Sequence, residues 1–399
     1  MDADGFTLSW TTNNASAYLI HYLALGGTQI TGQDISNFGS PAAPGDKVVT
    51  GVGFRPELII TSRGIIAAPG STNYDRGIGA ADGTTNWSAD SRTFWYTTDS
   101  KMYAYATRSS TKIISFPDIF AVEDIAATLS AFDSDGYTIN FTNINVSVAW
   151  KALTIKGCHV KVGSFNKSVT GAPTDQGVTG VGFTPKALFF VATGTAAGIQ
   201  SGTGSKIVIG ASDGTSHAVT ADQSDSNVTP TNIAAVDSST RAFIRANNSS
   251  KTVNAQCVVK TLDSDGFTLT WDINDATATP IGYVAFGAWV TPTATTTIAS
   301  PVTTVSAQLN GIMNPGGATA SFPVSYKFEY GLTAAYGSST TPVGGQTGSS
   351  DIVVMENISG LTPTTLYHFR LVAYNDGETA NGLDETFTTY ANDPSIMAL

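Results

Sequence analysis

The sequence predicts an all-β protein: two tandem antiparallel β-sandwich or jelly-roll-like domains, followed by a smaller sandwich with its own pattern. Three observations carry this. Motifs recur at a domain-sized spacing, apolar residues alternate with period two around them, and the composition suits pleated surfaces and tight turns. The recurrence is plainest in "DADGFTLSW" at 2–10, "DSDGYTINF" at 133–141 and "DSDGFTLTW" at 263–271. Gly26, Gly157 and Gly287 each lie 21 residues beyond Gly5, Gly136 and Gly266, the glycines of those stretches. "VTGVGFRPELII" with Gly53 and Phe54 returns as "VTGVGFTPKALFF" with Gly182 and Phe183, and "GIGAADGTT" around Gly83 returns as "IVIGASDGTS" around Gly214. All these spacings are 129–131 residues. Periods of about 20–50 residues mark solenoids, whereas this one marks tandem domains.

The first strand signal is Phe6, Leu8 and Trp10 alternating with Thr7 and Ser9. Tyr137, Ile139 and Phe141 repeat it, as do Phe267, Leu269 and Trp271, each after an Asp-Gly turn. Period two of this kind describes a half-buried strand. "YLIHYLALGG" and "IGYVAFGAW" read as return strands of long hairpins, and "PELIITS" and "PKALFFVAT" as strands buried on both faces. The best helix candidate is "FPDIFAVEDIAATLSAF" at 116–132. With three hairpins for two complete domains, the closures are 1–131 and 132–292 with an extra hairpin at 263–292, or a permuted 31–160 with 1–29 left over. A leftover hairpin has open edges and an apolar face. It is expected to join its neighbouring domain or, as the favoured outcome, a neighbouring subunit. "VTPTATTTIASPVTT" at 290–304 is rich in Thr and Pro and reads as a linker, placed at 293–304. Residues 305–390 alternate strands and turns about every ten residues, and 391–399 read as a tail.

Composition narrows the function. The 399 residues suit two to four domains, and 41% apolar residues suffice for cores. Charged residues are only 13%, about half the usual share, so hydroxyls and amides solvate the surface. A net charge of −11 without a basic run argues against a nucleic-acid partner. No apolar run is long enough to span a bilayer, so no membrane partner is expected. "MDADGFTLSW" has neither a basic n-region nor an apolar h-region. The expectation is synthesis in a cytoplasm without a signal peptide.

Residues 305–390 resemble a fibronectin type III domain of the bacterial and phage kind. The resemblance rests on "LNGIMNPGG", "YKFEYGLTAAYG" and above all "GLTPTTLYHFRLVAYN". It implies a core position for Leu361 and a tyrosine corner at Tyr367, with Leu309 or Ile312 in place of an early-strand Trp. It leaves open which face Phe369, Leu371 and Ala373 share. The tandem repeat over 1–292 resembles a domain of predicted tail and head-surface proteins of tailed bacteriophages. Together these resemblances imply a non-enzymatic structural component of a bacteriophage particle, a capsid decoration or tail-associated protein. Other virion proteins and copies of itself would be its partners. The alternative is a carbohydrate-binding or adhesive module that recognises host glycans.

Candidate chemistry is sparse. The D-x-D-G stretches place Asp2 with Asp4, Asp133 with Asp135, and Asp263 with Asp265, which are candidate oxygen ligands for calcium. The competing reading is a hairpin turn whose Asp accepts backbone hydrogen bonds. His21, His159, His217 and His368 share no metal spacing. No G-x-S-x-G, H-E-x-x-H or phosphate loop occurs, so no catalytic residue and no cofactor is assigned. Distant carboxylates of a glycoside hydrolase would not show as a motif. Cys158 and Cys257 form either one bridge or two buried free thiols. The segment 86–108 gathers Trp87, Phe94, Trp95, Tyr96, Tyr103 and Tyr105, as core strands or as a ligand or interface surface; the second repeat has no such cluster.

Overall fold

The computed structural model describes residues 24–25, 30–66, 74–96, 101–117, 123–145, 148–157, 159–193, 200–201, 205–224, 233–247, 250, 252–318 and 322–392. Among them the regular structure is all β, in antiparallel sheet pairs consistent with several β-sandwiches. The first set of strands is β1 (Gly32–Gly39), β2 (Gly45–Thr50), β3 (Leu58–Ile66), β4 (Tyr74–Ala81), β5 (Asn86–Tyr96), β6 (Lys101–Ser109), β7 (Ile114–Pro117), β8 (Glu123–Asp133), β9 (Gly136–Ile144) and β10 (Ala149–Lys156). They form one sheet ordered β1-β10-β3-β4-β5-β6 and a second ordered β2-β9-β8-β7. Phe38, Ile59, Phe116, Tyr137, Ile139, Phe141 and Trp150 fill the space between.

The second set repeats this. It comprises β11 (His159–Asn166), β12 (Thr174–Thr179), β13 (Ala187–Ala192), β14 (Gln200–Ser201), β15 (Ser205–Ser212), β16 (His217–Ser224), β17 (Ile233–Ser238), β18 (Phe243–Ala246), β19 (Val253–Asp263), β20 (Gly266–Ile273) and β21 (Pro280–Gly287). Its sheets run β11-β21-β13-β15-β16-β17 and β12-β20-β19-β18, around Leu188, Phe190, Phe243, Phe267, Leu269 and Trp271. The alternation predicted for the D-x-D-G strands is what makes this core. Phe267, Leu269 and Trp271 are 0–1% exposed, while Thr268 and Thr270 face outward. The short β14 leaves the set and pairs with β6 of the first.

The two larger sheets face each other. Leu58, Ala80, Trp87, Ala89 and Ile155 of the first set pack on Val160, Val162, Val191, Ile207, Val284 and Phe286 of the second. Burial of this kind contributes about 25 cal/mol per Å² of apolar surface removed from water, so the seam is a third core between two sandwich cores.

The remaining strands are β22 (Thr293–Thr297), β23 (Ser306–Asn314), β24 (Val324–Gly331), β25 (Gly337–Ser339), β26 (Val343–Gln346), β27 (Ile352–Ser359), β28 (Leu366–Tyr374), β29 (Thr379–Asn381) and β30 (Glu385–Thr388). A sheet β22-β23-β27 packs on one built around β24 and β28, with Leu309, Phe328, Tyr367, Phe369 and Leu371 between them. Leu361 is buried, and Phe369, Leu371 and Ala373 all turn into this core with Tyr367. Leu309 is fully buried whereas Ile312 is 36% exposed, so Leu309 takes the inner position.

Four sequence expectations are corrected. Where the helix candidate at 116–132 is described it is strand: Glu123–Asp133 pairs with both β7 and β9, and that pairing overrides the helical preference of its alanines. A boundary at 131 falls inside β8 and parts it from β9. The hairpin at 263–292 is no extra, because β20 lies between β12 and β19 and β21 lies between β11 and β13. The Thr/Pro stretch at 293–304 is not a free linker. Thr293–Thr297 is an edge strand paired with β23, and the amide of Leu371 donates to Thr296 Oγ1 at 3.1 Å. Most of the hairpin 1–29 lies outside the described residues, with Leu25 packed against the seam.

Candidate functional site

The D-x-D-G carboxylates are committed to the backbone of the other recurrent motif. Asp135 Oδ1 accepts from Gly53 N at 2.6 Å and Oδ2 from Gly51 N at 3.1 Å, while its carbonyl accepts from Val52 N at 3.4 Å. Asp265 does the same with Gly182 N (2.7 Å), Gly180 N (3.1 Å) and Val181 N (3.3 Å). Gly51, Gly53, Gly180 and Gly182 all have φ of 84–88°. That left-handed geometry, open to Gly at no steric cost, turns successive amides toward one point and makes a nest for an anion. The anion here is the protein's own carboxylate. The first aspartate of each stretch is also engaged: Thr138 Oγ1 donates to Asp133 at 2.7 Å and Thr268 Oγ1 to Asp263 at 2.8 Å. The two motifs recur with one period because they bond each other. Among the described residues no group of three or more His, Cys, Asp or Glu is placed to hold a metal ion.

The D-G-T turns are a second use of carboxylates. Asp82 Oδ1 accepts from Thr84 N and Thr85 N at 3.0 and 2.7 Å. Its Oδ2 accepts from Val162 N at 2.8 Å, with Lys161 Nζ at 3.9 Å, so it ties the first strand set to β11. Asp213 caps its own turn through Ser216 N and Thr215 N at 2.6 and 2.9 Å, and these amides hold its carboxyl below the usual range.

Trp87 is turned inward. It is 3% exposed, in the seam, and its ring lies directly over Gly282, where any Cβ would collide with it. It is therefore a packing residue between sheets, not a surface aromatic. The register places Phe94, Trp95 and Tyr96 of β5 opposite Tyr103, Met102 and Lys101 of β6; their side chains lie outside the described residues. Cys257 is a buried free thiol whose pKa burial pushes up, and Cys158 lies outside the described residues.

Two clusters gave no signal in the sequence. Lys167 is 1% exposed, and its Nζ donates to the carbonyls of Ser168 and Asp275 at 2.8 Å and to Asn274 Oδ1. Arg245 reaches Asp275 and also donates to Thr279 Oγ1 at 2.9 Å. Burial lowers the Lys167 pKa against the raising effect of Asp275. The second cluster centres on His159, 2% exposed, between Phe183, Trp289 and Phe322. The partners of each cluster are far apart in the chain, so spacing could not reveal them. His217 Nδ1 lies 2.8 Å from Ser212 Oγ, and His368 Nδ1 lies 2.7 Å from Asp384.

No protein-family profile matches the chain, and no curated protein matches it. Among solved structures it is similar to the sensor domain of the anti-sigma factor RsgI4 of Pseudobacteroides cellulosolvens. One structure of that domain is 18% identical with a TM-score of 0.20, covering 26% of this chain and 92% of that one. A solution structure is 20% identical with a TM-score of 0.20, covering 25% of this chain and 76% of that one.

Proposed function

We propose that this chain is a non-enzymatic structural component of a bacteriophage particle, a capsid-decoration or tail-associated protein that packs against other virion proteins and copies of itself. In this reading residues 31–157 and 159–287 are two sandwich repeats, and 293–390 form a fibronectin type III-like module. The module's Tyr367 Oη accepts from Thr362 N at 3.0 Å, a tyrosine corner. The observation that carries the reading is where the polar chemistry of the repeats is spent. The recurrent aspartates clamp loops and join strand sets, and the apolar seam fastens one sandwich to the next. Such a build suits a spacer or decoration that resists deformation. Mass spectrometry of purified particles should find the protein in many copies. Its absence from particles would sink the reading.

A second reading, host-glycan adhesion, draws on Phe94, Trp95 and Tyr96 lying in register with Tyr103 and its neighbours. Aromatic faces stack on sugars. Glycan-array binding by the full chain, lost in Trp95→Ala, would favour this reading.

A further inference from the structure

The joint between the second strand set and the third is built around one histidine. His159 opens β11 and pairs with Gly287 of β21. Its ring stacks on Phe322 at 4.2 Å and 24°, and meets the Trp289 ring edge-on at 3.9 Å and the Phe183 ring at 5.4 Å. Among the described residues neither ring nitrogen has a hydrogen-bond partner. Trp289 in turn sits on Gly377, where a Cβ would run into its ring, and Asn375 Nδ2 donates to Val290 O at 2.8 Å. The third sandwich is thus held to the second by an aromatic cage closed over an imidazole.

We propose that this cage is an acid-sensitive latch: protonation of His159 releases the third sandwich from the second. Imidazolium has two N–H donors and a full charge; among the described residues neither nitrogen meets an acceptor, and the ring faces of Trp289 and Phe322 offset only part of the cost of burying the charge. The ring therefore stays neutral while the joint is closed and takes its proton only when the joint opens. Burial alone lowers its pKa, to about 4. Charged residues on the surrounding segments are Lys161 of β11, Lys186 beyond the Phe183 loop, Lys327 of β24, and Asp376 and Glu378 beside Gly377, and none contributes to that shift. A histidine freed into water titrates near 6.5. Closure is then fully favourable above that range and weakens as pH falls from about 6.5 toward 4. Between pH 7 and 4.5 the opening equilibrium should rise about 60-fold. The latch is independent of the function proposed above.

Hydrogen exchange of the full chain at the two pH values, corrected for intrinsic rates, tests this. The expected result is loss of protection at 289–291 and 375–378 with β21 still protected. His159→Phe keeps a ring in the cage and should abolish the pH response; His159→Leu serves if that variant does not fold. A native chain equally protected at both pH values overturns the proposal. So does a folded variant that opens as the native chain does.

Discussion

The two strand sets share a backbone plan and differ in what fills it. Sheet order is the same, and so is the aspartate clamp on its pair of positive-φ glycines. The fillings diverge at matched positions. In the first set Arg63 of β3 stacks on Phe116 of β7 at 3.8 Å and lies 5.6 Å from the Trp150 ring. In the second, Ala192 stands where Arg63 did, Arg245 where Phe116 did, and Ile281 where Trp150 did. The cation has moved from one sheet to the other. Ser40, whose Oγ accepts from Val148 N at 3.0 Å, is replaced by Lys167 with its own acceptors and the Trp271 ring 5.5 Å away. Turn chemistry fixes the register, and each core is then solved separately, as cores tolerate different fillings of similar volume.

The seam is the sharpest asymmetry, since Ala218 stands in the second set where Trp87 stands in the first. Trp87→Ala should cost about 3–5 kcal/mol by opening a cavity over Gly282. Urea unfolding measures the loss, and exchange of β21 shows whether it falls on the seam. A loss under about 1 kcal/mol would mean that the two sheets do not depend on each other.

Next in size is the buried charge cluster peculiar to the second set. Asp275→Asn leaves Lys167 and Arg245 without their counter-charge and should cost about 2 kcal/mol, discounted because Asp275 is one-third exposed. Burial raises the Asp275 pKa, but the Thr277 amide and the two cations outweigh it and hold the carboxyl below its ordinary 3.8. A depressed carboxylate stabilises above its unfolded pKa, and that stability is lost as pH falls from about 4 through the folded value. Acid unfolding profiles of native and Asp275→Asn protein should therefore converge below pH about 4. Parallel profiles would remove the cluster as a source of difference.

The clamps should show no asymmetry. Asp135→Ala and Asp265→Ala each remove two charge-assisted bonds to backbone amides, and should cost about 1–2 kcal/mol apiece. Thermal melts differing by more than about 1 kcal/mol between them would break the claim that turn chemistry is shared. Smallest of all, Thr138→Val and Thr268→Val each lose one hydroxyl bond to Asp133 or Asp263, about 0.5–1 kcal/mol in either set by the same measurement.

What the sequence made legible was local. Alternation around Tyr137, Ile139 and Phe141 gave a strand because one face is buried, and those residues are 0–1% exposed. The bond from Thr362 N to Tyr367 Oη is local in the same way, closing within five residues of "LTPTTLY". The Thr/Pro run misled because threonine suits an edge strand as well as a linker, and only the pairing with β23 decides between them. Asp124 through Ala127 are buried consecutively, a pattern that suits a helix or a strand equally. The His159 cage and the Lys167 cluster draw on residues more than a hundred positions apart, and no local pattern encodes such meetings. Trp87 was visible as an aromatic, but its inward aim follows from a glycine far along the chain.

The position of β10 has a consequence for the order of synthesis. It is the last strand of its set, yet it lies between β1 and β3, near the set's beginning. As the chain leaves the ribosome, β3 waits with one edge bare until residue 156 has emerged. β21 is the same kind of strand, made later and just as complementary in backbone. Nascent-chain misassembly would consist of the second repeat's closing strand entering the first repeat's gap. The two strands differ at every matched position from Ala149/Pro280 to Lys156/Gly287, with large differences in side-chain volume at Trp150 against Ile281, facing Phe38 in the first sheet and Phe165 in the second, and at Ala152 against Tyr283. For two repeats of this topology in one chain, the difference between the two keystone strands is what keeps each arch to its own.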